Sequence, residues 1–247
     1  MPLLSIIVPV YNEETELSRL VARFMAATFP VPFEWIFVDD KSSDRSLATL
    51  QVFSKQYGFK VIAQETNQGK GTAVIRGISE AKGDILIVQD ADFEYDPREI
   101  EKVIRPILDD QADVVYGSRF KSASSPASNN FHSLINRFLT LLSNHFSGLS
   151  LTDMETGYKA FRADLLKAMN LTSHRFGIEV ELTAYTAKTR ARLREVPISY
   201  SPRTRLEGKK INWTDGFAAL YHLVRFNCFT SISDAFHQLP DTYKPDF

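Results

Sequence analysis

The 247-residue sequence has one cysteine, Cys228. That excludes an internal disulfide framework and a zinc cage built from thiolate pairs. A charge excess is also missing: 29 Lys and Arg against 30 Asp and Glu leave a formal charge of −1. A dedicated nucleic-acid binder carries a basic surplus, so no nucleic-acid partner is expected. Long hydrophobic runs are absent. No stretch free of Asp, Glu, Lys and Arg exceeds 15 residues, and in the more apolar of those that reach it, 138–152, Ser, Asn, His and Thr interrupt the run. A spanning helix needs about 20 mostly apolar residues, so no transmembrane segment is expected. The opening Met1-Pro2-Leu3-Leu4-Ser5 has neither a positive n-region nor a small-residue cleavage site, which points to the cytoplasm. Two nucleotide signatures are missing as well. No Gly-x-Gly-x-x-Gly follows the first apolar run, which disfavours a nicotinamide enzyme. Asn67-Gln68-Gly69-Lys70-Gly71-Thr72 resembles a phosphate loop but lacks the Walker spacing, which argues against an ATPase.

What remains is an ordinary globular composition, 44% hydrophobic and 24% charged. The length suits one large α/β domain or two small ones, with core enough to need no staples. Residues 3–10 form a continuous apolar run, read as a strand buried on both faces. Leu17, Leu20, Val21, Phe24 and Met25 then recur at helical spacing. Further strands are predicted at 35–38, 60–64, 85–89 and 113–117, with helices between them. Strand and helix alternate, which is the pattern of a parallel sheet covered by helices. Beyond residue 119 the sequence predicts a loop over 121–130 and a broad apolar helix over 131–146. A polar segment, 152–159, precedes a short helix near 163–169. Another helix at 179–188, a strand at 194–200 and an apolar, aromatic segment at 217–229 complete the chain.

Parallel sheets bind ligands beyond the carboxyl ends of their strands. Four strand ends here carry polar groups: Tyr11-Asn12-Glu13, Asp39-Asp40, Asp90-Ala91-Asp92 and Gly117-Ser118-Arg119. Asp90 and Asp92, with Glu94 two residues on, place like charges just past a buried strand. A divalent cation with hard oxygen ligands relieves that repulsion and can hold a substrate diphosphate. A solvated acidic turn capping the next helix is the competing reading. Arg119, Arg203, Arg205, Lys209 and Lys210 are candidate phosphate ligands, since arginine forks match phosphate oxygens. For any single one, a solvated surface charge is the plainer reading.

Taken in order, these motifs resemble glycosyltransferase family 2, and most closely the polyprenyl-phosphate mannose synthases. The matching stretches are Ile7-Val8-Pro9-Val10-Tyr11-Asn12-Glu13, Val38-Asp39-Asp40-Lys41-Ser42-Ser43-Asp44, Asn67-Gln68-Gly69-Lys70-Gly71 and Gln89-Asp90-Ala91-Asp92-Phe93-Glu94-Tyr95. Gly117-Ser118-Arg119-Phe120, Thr152-Asp153-Met154-Glu155-Thr156-Gly157-Tyr158-Lys159, Glu195-Val196-Pro197-Ile198-Ser199-Tyr200 and Glu207-Gly208-Lys209-Lys210 follow. Each is weak alone; the ordered set is strong.

The resemblance implies an α/β fold of the glycosyltransferase A type, a mostly parallel, Rossmann-like sheet flanked by helices. It implies a catalytic domain over 1–213 and a helical tail over 214–247 that meets a membrane surface or a second copy. It implies an inverting enzyme that moves a hexose, mannose or glucose, from a nucleotide sugar to a polyprenyl phosphate. GDP-mannose is the preferred donor and UDP-glucose the alternative. Pro9, Tyr11, Glu13, Val38 and Asp40 would contact the nucleoside. Asp90, Ala91 and Asp92 would hold the sugar diphosphate, with Arg119, Arg203 and Lys209 on phosphates. Asp92 and Glu94 would bind Mg2+ or Mn2+. Asp90, Asp92 and Arg119 would be catalytic, and Arg119, His132, Ser133, Asn136 and Arg137 would face the acceptor. Such an enzyme works at the cytoplasmic face of a membrane, held by interfacial helices or an anchored partner.

A phosphate acceptor is already an anion and needs positioning more than a base. A saccharide hydroxyl acceptor would need a general base, for which Asp153 and Glu155 are the candidates. The remaining rivals are a non-catalytic nucleotide-sugar scaffold and a nucleotidyltransferase releasing pyrophosphate.

Overall fold

The computed structural model describes residues 1–121, 131–175, 177–201 and 213–245; of 131–132 and 213–217 it describes the backbone only. Seven strands form one sheet in the order β3-β2-β1-β4-β6-β5-β7. They are β1 (Leu4–Val10), β2 (Phe33–Asp39), β3 (Lys60–Ala63), β4 (Ile85–Val88), β5 (Val114–Ser118), β6 (Lys159–Arg162) and β7 (Leu193–Pro197). The helices are α1 (Glu14–Ala26), α2 (Ser46–Tyr57), α3 (Lys70–Glu80), α4 (Ile100–Leu108), α5 (Phe131–Ser147), α6 (Ala163–Ala168), α7 (Ile178–Ala187), α8 (Trp213–Cys228) and α9 (Ile232–Ala235).

Alternation along each strand divides the core into two layers. Ile6, Val8 and Val10 of β1 point to one face, where α1 and α4 cover them with Leu17, Leu20, Phe24, Ile100 and Ile104. Ile7 points to the other face, with Val88, Tyr116 and residues of α3, α7 and α8. That period of two is the pleat itself, and both faces are covered, as in a βα-type sheet. The apolar stripe predicted for α1 holds at Leu17, Leu20, Val21 and Phe24, all buried, but Met25 is about half exposed, at 51%. It lies at the rim of the stripe, in the helix's last turn.

One strand was not expected. The sequence predicts a polar segment running into a helix at 159–163. The structure has β6 there, antiparallel to both β4 and β5. Four residues are too few to show a period, and Lys159 argues against a buried strand. The ammonium of Lys159 is buried yet satisfied: it donates to the carbonyls of Met154 at 2.7 Å and Thr156 at 2.5 Å. It also lies 4.8 Å from the Tyr116 ring centre.

β6 decides where the site lies. β1, β2, β4, β5 and β7 all run in the same direction, so their carboxyl ends share an edge. Because β6 runs the other way, its amino end, with the 152–158 segment before it, meets that same edge. The C-terminal segment joins this core: Ala219, Leu223 and Phe226 of α8 pack with Tyr185 of α7, and Met169 bridges to Phe236.

Candidate active site

At the exits of β1 and β2, the backbone turns sharply. Asn12 and Lys41 adopt positive φ, 52° and 58°. Asparagine tolerates that region, and the Asn12 side chain accepts from the Ser43 amide at 2.8 Å. Tyr11 is left partly exposed beside this turn, while Glu13 is buried and its amide donates to Ser46 Oγ. Pro9 pairs with Val38 across the sheet. Val38 itself is wholly buried, so its side chain serves the core. Asp40 is also buried, and its carboxylate accepts from Gln64 Nε2 and from the amides of Gln68 and Gly69 at 2.7–2.9 Å. In this state Asp40 shapes the Gly69 loop. That loop runs close under its neighbours: a Cβ on Gly71 would stand 2.1 Å from the Ser173 carbonyl oxygen.

The acidic turn follows β4. Asp90 Oδ1 accepts from Lys70 Nζ at 2.7 Å, and the same ammonium reaches Glu179 Oε1 at 2.9 Å. Burial opposes the charge on Lys70, but Asp90 and Glu179 outweigh it and hold the pKa well above the ordinary value. Asp90 Oδ2 packs over Gly157, where a Cβ would come within 2.5 Å of it. Asp92 Oδ1 accepts from the Glu94 amide at 3.1 Å, and Glu94 Oε2 accepts from the Tyr200 hydroxyl at 3.0 Å. Phe93, between them, lies against the Arg19 and Arg23 guanidiniums of α1, at 4.5 and 4.6 Å.

Facing this turn, Arg119 directly follows β5. Its Nε and Nη2 donate to Asp153 Oδ2 and Oδ1, each at 2.7 Å, and its amide donates to Asp153 Oδ2 at 2.9 Å. Both residues are buried. Burial works against the charge of Arg119, yet Tyr95 and Asp153 keep its pKa well above normal. Glu195 holds the amides of Thr152 and Asp153, which fixes the loop that delivers Asp153. The Phe120 ring sits 5.9 Å from the Arg119 guanidinium and 5.0 Å from that of Arg137, an exposed residue of α5. Two cations thus flank one ring. Ser133 is buried and Asn136 half-buried on the same helix. Glu155 differs from Asp153. Its Oε1 is buried without a hydrogen-bond partner, and burial followed by the charge of Glu179 pushes its pKa up to about 7.

Residues 5–169 match the family model described as Glycosyl transferase family 2. The chain belongs to this family. The chain is 30% identical to a dolichol-phosphate mannosyltransferase of Pyrococcus furiosus, over 90% of this chain and 62% of the relative. It is 31% identical to an undecaprenyl-phosphate 4-deoxy-4-formamido-L-arabinose transferase of Edwardsiella ictaluri, over 83% and 62%. This chain therefore spans less than two thirds of either relative. A UDP-N-acetylglucosamine–dolichyl-phosphate N-acetylglucosaminyltransferase of Methanococcus voltae is 30% identical, over 90% of this chain and 95% of the relative. Among solved structures, glucosyl-3-phosphoglycerate synthase of Mycobacterium tuberculosis, in complex with Mn2+ and UDP, superposes with a TM-score of 0.70. That match covers 92% of this chain and 80% of the other at 17% identity, and shows the shared glycosyltransferase A fold.

For a family 2 chain, the structure brings Asp90, Ala91, Asp92, Glu94 and Arg119 to one edge with Tyr11 and Glu13. Arg203, Lys209 and the His132 side chain lie outside the described residues. Among the described residues no three carboxylate, histidine or cysteine side chains converge as a complete metal cage. Two carboxylates at a strand end are nevertheless what Mg2+ or Mn2+ asks of a protein, because substrate phosphates and waters complete the shell. Sequence reasoning missed Lys70 as the cation between Asp90 and Glu179. The Gly-Lys-Gly pattern was visible, but Glu179, over a hundred residues away, was not legible as its partner. Tyr200 was missed too, since nothing in its own neighbourhood points to Glu94.

Proposed function

We propose that this chain is a metal-dependent, inverting glycosyltransferase that moves a hexose from a nucleotide sugar to a polyprenyl phosphate. The observation that carries this reading is the use made of Asp153. Its carboxylate is wholly committed to Arg119, so the side chain best placed to be a base serves as a cation anchor. Arg119 and Arg137 both lie against the Phe120 ring, and two cations gathered there suit an anionic acceptor. The three relatives named above support it, since each name includes a polyprenyl- or dolichyl-type phosphate.

The donor's nucleoside lies against Tyr11 and Glu13, with Pro9, Val38 and Asp40 forming the floor and loop behind it. Asp90, Ala91 and Asp92 receive the diphosphate, with Arg203 and Lys209 as further phosphate ligands. Asp92 and Glu94 would hold the Mg2+ or Mn2+, which supplies charge neutralisation for the departing nucleoside diphosphate. Arg119 and Arg137, with His132, Ser133 and Asn136, position the acceptor phosphate. An acceptor oxygen attacks the anomeric carbon as the bond to the donor diphosphate breaks on the opposite face. Preorganised cations stabilise charge where it develops. GDP-mannose is the preferred donor, with UDP-glucose second; the relatives carry three different sugars, so the family alone does not choose.

Among the described residues no helix is long and apolar enough to cross a membrane. Leu134, Phe138 and Leu141 stand exposed on α5, as do Tyr221 and Val224 on α8, with Phe229 just beyond it. This face is proposed to lie on the cytoplasmic surface of the membrane, with a homodimer contact as the competing use. The catalytic domain is taken as 1–213 and the tail as 214–247.

One observation favours a second reading. A half-buried carboxyl with a pKa near 7, such as Glu155, has the poise of a general base, which a saccharide hydroxyl acceptor would need. The deciding assay offers a panel of nucleotide sugars with a short polyprenyl phosphate, with and without Mn2+ or Mg2+. Lipid-linked sugar that disappears in Asp92→Ala supports the proposal. No lipid-linked product from any donor, or transfer to a saccharide hydroxyl instead, overturns it.

A further inference from the structure

Tyr200 lies three residues beyond β7, where the chain leaves the sheet edge. Its hydroxyl donates to Glu94 Oε2 at 3.0 Å. The next amide, Ser201, donates to the Glu94 carbonyl oxygen at 3.0 Å. Side chain and backbone therefore grip the same acidic residue. The Tyr200 ring also lies 5.1 Å from the Arg119 guanidinium and 5.5 Å from the Tyr95 ring. Tyr95 in turn accepts from the Gly157 amide and packs on Tyr158. One side chain thus touches both charged halves of the site: the acidic turn after β4 and the arginine after β5.

We propose that Tyr200 is a positioning residue that couples the cation-binding turn to the acceptor-phosphate arginine, its hydroxyl aiming Glu94 and its ring seating Arg119. The inference rests on the functional reading above. A carboxylate that donates one oxygen to a metal keeps its aim when a partner fixes the other, and such partners carry a measurable share of metal affinity. The aromatic face beneath Arg119 favours the cation without competing for its hydrogen bonds. Asp153 takes Nε and Nη2, while the Tyr200 ring lies 5.1 Å from the guanidinium carbon. A tyrosine present for packing alone would need its ring and not its hydroxyl. The two contacts can therefore be removed one at a time.

The test compares wild type, Tyr200→Phe and Tyr200→Leu. Mn2+ binding is read by paramagnetic resonance with GDP or UDP present and no acceptor. Kinetics with a short polyprenyl phosphate give the acceptor KM separately from kcat. Tyr200→Phe should weaken Mn2+ binding about tenfold while the acceptor KM stays near wild type. Tyr200→Leu should weaken Mn2+ equally and raise the acceptor KM severalfold as well. Unchanged Mn2+ affinity in Tyr200→Phe overturns the proposal, and so does a wild type that binds no Mn2+. An acceptor KM equal in the two variants overturns the Arg119 half. If Tyr200→Leu fails to fold, the Mn2+ affinity of Tyr200→Phe decides alone. A wild type that binds Mn2+ but makes no lipid-linked sugar sinks the acceptor reading, and the Glu94 contact is still judged by its Mn2+ data.

Discussion

Replacing Asp153 with Asn exchanges one oxygen for an amide nitrogen and removes one charge, at a buried ion pair of the site. Asp153 is wholly buried and Arg119 nearly so, with two side-chain hydrogen bonds of 2.7 Å between them. An asparagine keeps the shape and one acceptor. Its amide nitrogen, however, turns a donor toward a guanidinium that has only donors. Arg119 is then a buried cation without a counter-charge, and breaking such a pair on one side costs about 3–5 kcal/mol. For a chain of this size, that corresponds to a drop in Tm on the order of 10 °C. Urea unfolding at neutral pH measures it directly. Removing both charges together, as Arg119→Met with Asp153→Leu, should restore much of the loss, because a buried pair replaced by apolar groups is often near neutral. Transfer should be lost in the single and the double variant alike. The outcome that refutes this chain of reasoning is an Asp153→Asn protein within about 1 kcal/mol of wild type yet inactive. Asp153 would then be a base that the structure shows at rest, and the acceptor would be a hydroxyl.

Gly157→Ala would place a Cβ 2.5 Å from Asp90 Oδ2 and 3.0 Å from the Tyr95 ring. Asp90 must move, and a shift near 1 Å should lower kcat on the order of 10²-fold with the circular dichroism spectrum unchanged; wild-type turnover would show that Asp90 is not held for catalysis. Glu155 has a folded pKa of about 7 against an ordinary value of 4.5. Between those values the folded protein keeps a proton that the unfolded chain has released, so this group's contribution to stability falls as pH rises through the window. The Tm advantage of Glu155→Gln should therefore grow from pH 4.5 to 7 and then level off; a pH-independent difference would contradict the burial argument. Leu134→Asp with Phe138→Asp removes exposed apolar area from α5. Flotation with vesicles of anionic lipid should weaken, and equal flotation would move the membrane contact elsewhere.

The ends of β1, β2, β4 and β5 were legible because continuous apolar runs stop at charged or polar residues, which a buried strand carries inward only where a partner meets them. Four polar strand ends, Asp90-Ala91-Asp92 and Gly117-Ser118-Arg119 among them, were enough to expect a ligand edge, and the whole ordered set of motifs carried the resemblance to the family. The broad apolar face of α5 was legible too, but not its division. Leu139 is buried against the core while Leu134, Phe138 and Leu141 face outward, and hydrophobicity alone does not say which side of a helix meets protein.

Local order of residues therefore determined which groups gather at the edge, since strand direction follows from βα alternation. Pairing across long separations was decided only in three dimensions. Asp153 looked like a base and became the partner of Arg119; Lys70 looked like part of a phosphate loop and became the bridge between Asp90 and Glu179. β6 is the physical reason. A four-residue strand too short to announce itself reverses direction between β4 and β5, and carries the 152–158 segment into contact with groups on three other strands. Charges buried at such a junction must find partners, and which partners they find depends on the junction.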